Sequence, residues 1–266
     1  MTAKPADRWA VGEAYEPYIG RWSRLVARDF LAWLAPAPGA TWLDVGCGTG
    51  ALTEEILRTT EPSHVRAIDP SPAFLGFARD NIRDRRAEFV VGDARSIPQS
   101  AASIDVVVSG LAINFVPQPH IAVAEMARVA RPGSVVAAYV WDYAERMQLI
   151  RHFWDAAIAL DPRASELDEA RRFPICQPAA LETLFRDAQL RDVESVAIEV
   201  PTRFRDFDDY WTPFLGAQGP APGYAMSLSD ERRVTLRERL RETLPIAADG
   251  TIELVARAWA VRGARA

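Results

Sequence analysis

The residues able to do chemistry cluster around a glycine-rich turn. The run Trp42-Leu43-Asp44-Val45 leads into Gly46-Cys47-Gly48-Thr49-Gly50, and a helical pattern, Ala51 to Leu57, follows. Glycines let the main chain turn at positive φ and leave it bare for a ligand to lie against. The start of the next helix adds free N–H groups and a partial positive charge. Dinucleotide-binding turns read G-x-G-x-x-G, with the third glycine easing helix–strand packing near a pyrophosphate. Here the spacing is G-x-G-x-G, and Asp44 stands two residues before the first glycine. A carboxylate there is a poor neighbour for a pyrophosphate and a good one for an ammonium group. A cofactor with an amino-acid end and an adenosine end fits better than one with two phosphates. Asp44 also reads as a simple cap of the turn, and Cys47 as a small apolar residue presenting its backbone rather than a nucleophile.

Two more acids follow at strand ends. Val65-Arg66-Ala67-Ile68-Asp69 is an apolar run closed by an acid, and Phe89-Val90-Val91-Gly92-Asp93-Ala94 is another. Taken in order, the three segments resemble the first motifs of the class I S-adenosylmethionine (SAM) dependent methyltransferases. The resemblance covers residues 40–142 well and the rest more loosely. It implies SAM as cofactor, S-adenosyl-L-homocysteine as product, and a cradle of Asp44, Gly46, Cys47, Gly48, Gly50, Asp69, Pro70, Asp93, Ala94 and Ser109. Asp69 would bind the ribose hydroxyls, because one carboxylate can accept both, and Asp93 the adenine amino group, with the Ala94 N–H on a ring nitrogen. Each acid also has a plainer reading, Asp69 as the cap of a helix starting near Pro72 and Asp93 as the cap of the turn before Pro98.

These residues are positioned by alternating elements. Strands are predicted at 41–46, 64–69, 87–92, 104–109 and 134–141, and helices at 50–58, 71–83 and 119–130, the last ended by Arg131-Pro132-Gly133. Asp105-Val106-Val107-Val108-Ser109 is an apolar β-branched run, as expected of a strand buried on both faces. Such alternation predicts a doubly wound, mostly parallel sheet with helices on both faces. With the resemblance it becomes a Rossmann-like seven-stranded sheet whose last strand is antiparallel between the fifth and sixth. A stripe of Trp22, Leu25, Val26, Phe30, Trp33 and Leu34 predicts a helix before the first strand. After residue 142 come helices at 145–160 and 178–188, a strand near 190–200, an aromatic helical insertion at about 204–245 and a final strand at 251–261. The expected division is a helical cap at 1–39, a SAM-binding core at 40–142, and the remaining sheet with a substrate-covering insertion at 143–266.

The acceptor side is less defined. Asn114 and Phe115, after the fourth strand, line the pocket or simply pack the loop. Trp141-Asp142-Tyr143 lies at the carboxyl edge of the fifth strand, where ligands bind in such sheets, so Asp142 or Tyr143 would hold or deprotonate the acceptor. His120 is a further candidate base. Arg21, Arg24 and Arg28 share a helix face that is either simply solvated or supplies one arginine, Arg21 or Arg24, to the SAM carboxylate, with Tyr15 and Tyr18 closing over the cofactor. Trp211 belongs to an aromatic set that suits core packing or a lid. The fourth strand lacks the Asn/Asp-Pro-Pro-aromatic signature of nucleic-acid base methyltransferases.

The 266 residues carry a formal net charge of −5, with 49% hydrophobic and 25% charged residues. That disfavours a polyanionic partner. Two distant cysteines and three scattered histidines offer no metal spacing. No apolar run reaches the roughly 20 residues of a membrane helix, and the N-terminus lacks a signal-peptide pattern, so a cytoplasmic location is expected. The expectation is methyl transfer to a small-molecule acceptor, with no nucleic-acid or membrane partner and an open oligomeric state. The alternatives are an NAD(P)-dependent oxidoreductase and a non-catalytic SAM-binding module.

Overall fold

The computed structural model describes residues 16–216 and 219–266; the proposed pocket residue Tyr15 lies outside them. The described residues open with a π-helical turn, Glu16–Gly20, and helix α1, Arg21–Leu34. Strand and helix then alternate: β1 (Thr41–Val45), α2 (Ala51–Thr59), β2 (His64–Asp69), α3 (Pro72–Asn81), β3 (Ala87–Val91), β4 (Ile104–Gly110), α4 (Pro119–Val129) and β5 (Ala130–Trp141). Next come α5 (Gln148–Leu160), the short α6 (Glu169–Arg172), α7 (Pro178–Asp187) and β6 (Leu190–Phe204). The insertion folds as α8 (Phe207–Trp211), α9 (Pro220–Ser227) and α10 (Asp230–Thr243), and β7 (Ile252–Arg265) completes the sheet.

The seven strands lie in the order β3-β2-β1-β4-β5-β7-β6. β2–β3, β1–β2, β1–β4 and β4–β5 pair in parallel, and β5–β7 pair antiparallel. This is the doubly wound, Rossmann-like sheet expected, with β7 wedged between β5 and β6. Val107 and Val108 are fully buried and Val106 nearly so, because helices cover both faces of a parallel sheet. The apolar stripe of α1 packs against the sheet through Phe30, whose ring lies 4.7 Å from that of Tyr139. Some boundaries differ from expectation. β5 already starts at Ala130, so Arg131-Pro132-Gly133 lies inside the strand, where the β4–β5 register shifts. β6 and β7 run longer than their apolar patterns suggest.

The chain forms two compact units that are not contiguous in sequence. The sheet unit contains Trp22–Trp141, Phe173–Glu199 and Arg257–Ala266; the other unit contains the described part of Met1–Arg21 with Asp142–Arg172 and Val200–Ala256. The bounds of these units differ from those of the three consecutive segments read from the sequence. Helix α1 packs with the sheet instead of forming a separate N-terminal cap, and 173–199 return to the sheet unit. The second unit is an aromatic cluster. Phe153 stacks on Phe214 at 4.5 Å, Phe214 meets Tyr18 and Tyr210 at 5.5 Å each, and Trp154 meets Tyr224 at 5.5 Å. The Tyr210 hydroxyl is satisfied by the Leu149 carbonyl at 2.9 Å.

Candidate functional site

The cradle sits at the carboxyl ends of β1 and β2. The main chain leaves β1 through Gly46 at φ 75° and Gly48 at φ 55°. The Gly46 and Cys47 N–H groups both donate to the Ile68 carbonyl, at 2.8 and 3.0 Å. A Cβ on Gly46 would lie 2.5 Å from the Ala112 methyl, whereas one on Gly48 would meet nothing within 4 Å. Gly46 is therefore glycine for packing against the turn after β4, and Gly48 leaves open space over bare backbone.

Asp69 locks this loop. Its two carboxylate oxygens accept from the Gly48 N–H at 3.0 Å and the Ser71 N–H at 2.8 Å. Burial raises its pKa against the opposing pull of these two bonds. Each oxygen keeps a lone pair for a further donor. Helix α3 is capped by the Ser71 hydroxyl, not by Asp69, which frees the acid from the plainer role the sequence allowed. Pro70 is exposed beside it.

Asp44 is fully buried. One oxygen accepts from the Thr53 hydroxyl at 2.6 Å, and the other has no hydrogen-bond partner. Burial lifts its pKa to about 7, the Thr53 bond opposes this, and the charge of Asp69 adds to it. A buried carboxylate oxygen that accepts no hydrogen bond is costly until a donor arrives. Thr53 went unnoticed in the sequence; its signal was a small polar residue on the buried face of the first turn of α2. Cys47 is buried, and burial with the nearby Asp44 charge pushes its thiol well up, so it is no nucleophile.

Asp93 is half-exposed and ion-paired with Arg95, at 2.5 Å, which lowers its pKa. Ala94 is half-buried next to it. The Ser109 hydroxyl donates to the Val45 carbonyl at 2.8 Å and so ties the end of β4 to that of β1. Arg24 reaches Glu54 in the first turn of α2, at 3.3 Å, which puts it beside the helix that starts at the cradle. Arg21 is engaged elsewhere: its guanidinium pairs with Asp209 at 3.1 Å and lies 4.8 Å over the Phe204 ring.

The remaining residues divide between the units. In the sheet unit, Asn114 is buried on a 3-10 turn, Ile113–Phe115, and neither amide atom has a partner. Phe115 packs edge-on to Phe173 at 5.0 Å. Trp141 is buried with its indole N–H unpaired. His120 is exposed in the first turn of α4. In the other unit, Asp142 is buried and its carboxylate accepts from the Glu145 and Arg146 N–H groups at 3.2 Å each. That is the geometry of a turn cap. Tyr143 is buried, and its carbonyl accepts from Arg151, which also clasps Asp168. Tyr18 and Trp211 lie within the aromatic cluster. An open cleft of about 400 Å³ in this unit is lined by Arg21, Arg205, Asp206 and Asp209, whose charges face one another. Sequence reasoning also missed Glu169, a fully buried acid with its pKa raised by burial to about 8, which accepts from the Trp154 indole.

A doubly wound sheet with a glycine cradle, a buried acid at the first strand end and a second acid locking the loop defines a cofactor-binding Rossmann-like protein. Residues 43–138 match the family described as "Methyltransferase domain". The chain is 32% identical over 178 residues to the demethylmenaquinone methyltransferase of Roseiflexus sp. (strain RS-1), covering 61% of this chain and 73% of that one. It is 29% identical over 136 residues to the malonyl-[acyl-carrier protein] O-methyltransferase of Serratia marcescens, covering 49% of this chain and 52% of that protein, about half its length. Among solved structures it resembles the Haemonchus contortus phosphoethanolamine N-methyltransferase 2 in complex with S-adenosyl-L-methionine. The TM-score is 0.57 at 15% identity, covering 96% of this chain and 56% of that one, a likeness of fold. The chain belongs to the class I SAM-dependent methyltransferases.

Proposed function

We propose that this enzyme transfers the methyl group of SAM to a small-molecule acceptor by in-line displacement, with the cofactor held at the β1–β2 cradle. The observation that carries this reading is the buried Asp44 oxygen with no hydrogen-bond partner, four residues before Gly48, whose main chain borders open space. An ammonium group satisfies that oxygen, and a pyrophosphate does not. When bound, SAM supplies an activated methyl on a sulfonium leaving group. The chain's own residues then have four tasks. Asp44 orients the amino-acid end, and Arg24, which meets Glu54 in the first turn of α2, is the side chain assigned to its carboxylate. Asp69 accepts from the ribose hydroxyls while keeping the Gly48 loop in place. Asp93 exchanges an Arg95 contact for the adenine amino group, an inexpensive exchange because exposed ion pairs contribute only about 0–1 kcal/mol. The buried surroundings exclude water and hold the reacting atoms at attack distance.

A small-molecule acceptor is supported by relatives whose names specify demethylmenaquinone and 2-methyl-6-phytyl-1,4-hydroquinone, and by the net charge of −5, which disfavours nucleic acid. The reading includes a cytoplasmic enzyme, supported by two buried cysteines that form no disulfide. No helix among the described residues is long and apolar enough to cross a membrane.

Calorimetric titration of SAM, S-adenosyl-L-homocysteine and NADH tests the cofactor. Both adenosyl ligands should bind, and Asp69→Asn should weaken each by roughly 10- to 100-fold, the value of one or two lost charge-assisted hydrogen bonds. Binding of NADH alone would reverse the assignment.

A further inference from the structure

A primary amide buried with all its hydrogen-bonding capacity unused is rare in a folded protein, because each such group destabilises it. Among the described residues Asn114 is the one side-chain amide in this state: it is 7% exposed, and neither Oδ1 nor Nδ2 has a partner. Its location is constrained from two sides. The turn that carries it is tied to β5 by the Leu111 N–H on the Tyr139 carbonyl, at 2.8 Å. Ala112, two residues before it, is the residue whose methyl crowds Gly46. Asn114 thus lies on the short bridge between the glycine cradle and the carboxyl end of β5. The last residue of β5 is Trp141, whose buried indole N–H is also unpaired. Unpaired indoles recur at Trp42 and Trp259, so the case rests on Asn114, and Trp141 adds its place.

The cradle accounts for the unpaired oxygen of Asp44 and leaves the amide of Asn114 without a role. We infer that Asn114 holds the acceptor, and that the acceptor is a phenol- or enol-type hydroxyl bound as its oxyanion. This rests on the cofactor reading above and goes beyond it to the substrate class. On this inference the Trp141 indole, at the end of the strand to which this turn is tied, is set against the same ligand, so that its N–H joins the two amide N–H donors, against one amide oxygen with two lone pairs. A site rich in donors suits an oxygen bearing negative charge better than an amine. A neutral amide takes no proton. The acceptor therefore loses its proton to solvent before transfer, which requires an acidic hydroxyl. Its oxygen then supplies the electron pair of the new O–CH3 bond, and the S–CH3 bond breaks with its pair going to sulfur. The products are a methyl ether and a neutral thioether.

The test uses the full chain saturated with S-adenosyl-L-homocysteine, 4-nitrophenolate as probe and 4-nitroaniline as its uncharged nitrogen counterpart. Absorbance of the phenolate reports hydrogen bonding directly, and a merely structural residue would leave it unmoved. Asn114→Leu and Asn114→Asp should each weaken phenolate binding by roughly 10- to 100-fold, one charge-assisted hydrogen bond. Binding of the aniline and of the adenosyl ligand should stay within about twofold of wild type, an energy difference well under 1 kcal/mol. Asn114→Leu should also raise Tm by about 2–4 °C, since an unsatisfied amide is replaced by an apolar group of similar size. Failure of the wild type to bind the phenolate, or equal binding by the variants, overturns the inference. So does a lower Tm, which would mark the amide as structural. A tenfold loss of the adenosyl ligand in Asn114→Leu would reassign the amide to the cofactor. If the wild type did not bind that ligand at all, the cradle itself would be misread, and this inference would go with it.

Discussion

Lowering the pH from 7 to 5 singles out Asp44. Its folded pKa is about 7, against 3.8 for the free side chain, chiefly because it is buried. That difference amounts to roughly 4 kcal/mol against ionisation in the ligand-free fold. An arriving ammonium needs the carboxylate, so binding below pH 7 must expel a proton. At pH 5 only about 1% of the protein has Asp44 ionised, and SAM affinity should fall about 100-fold from its plateau, close to tenfold per unit. Stability of the ligand-free chain should move the opposite way. A raised carboxyl pKa means that the folded state keeps a proton that the unfolded state releases. This group's contribution is therefore greatest below about 4 and declines as pH rises through about 7. Calorimetry at pH 5, 6 and 7 in buffers of different ionisation enthalpy reads both the affinity and the proton released. The Asn variant of Asp44 keeps an acceptor for Thr53 but cannot titrate, and its affinity should be weaker at pH 7 and flatter with pH. Any slope left in that variant belongs to Asp69, whose pKa is also raised. A wild-type affinity that is flat or rises on acidification, or a profile unchanged in Asp44→Asn, would refute the assignment.

Four other substitutions have expected outcomes. Gly46→Ala combines a left-handed φ with a Cβ 2.5 Å from the Ala112 methyl, and should destabilise the fold by about 2–5 kcal/mol in denaturant titration. Gly48→Ala meets no protein atom and should destabilise by only about 1–2 kcal/mol while weakening S-adenosyl-L-homocysteine disproportionately; equal effects at the two positions would contradict the cradle. Glu169 has a folded pKa of about 8 against 4.5, so its contribution to stability falls as pH rises between those values. Thermal melts of Glu169→Gln, which keeps an acceptor for Trp154, should gain on wild type from pH 5 to pH 8. Arg95→Ala removes an exposed partner of Asp93; Tm should hardly change, and adenosyl-ligand affinity should stay level or rise.

How much of this was legible in the sequence depends on how local each feature is. The strand-end acids, the glycine turn and the alternation of elements were readable because they rest on short-range rules. A strand buried on both faces must be apolar, a left-handed turn needs glycine, and parallel strands need crossover helices. The antiparallel last strand between the fifth and sixth came from family resemblance, since no local pattern says which strand reverses, and the full order β3-β2-β1-β4-β5-β7-β6 needed the structure.

The roles of individual polar atoms needed the tertiary structure. Arg21 was placed with the cofactor from its helical face, but its guanidinium meets Asp209, 188 residues away. Asp142, a catalytic candidate from its place on β5, caps the turn at 145–146. Glu169 looked like any surface acid in a charged stretch and is buried against Trp154. Period and spacing determine which face of an element is apolar. Whether a buried polar atom is satisfied depends on what the rest of the chain brings to it. The unpaired oxygen of Asp44 and the unpaired amide of Asn114 exist only once distant segments have packed and shut out water, and these atoms are the ones that point to ligands.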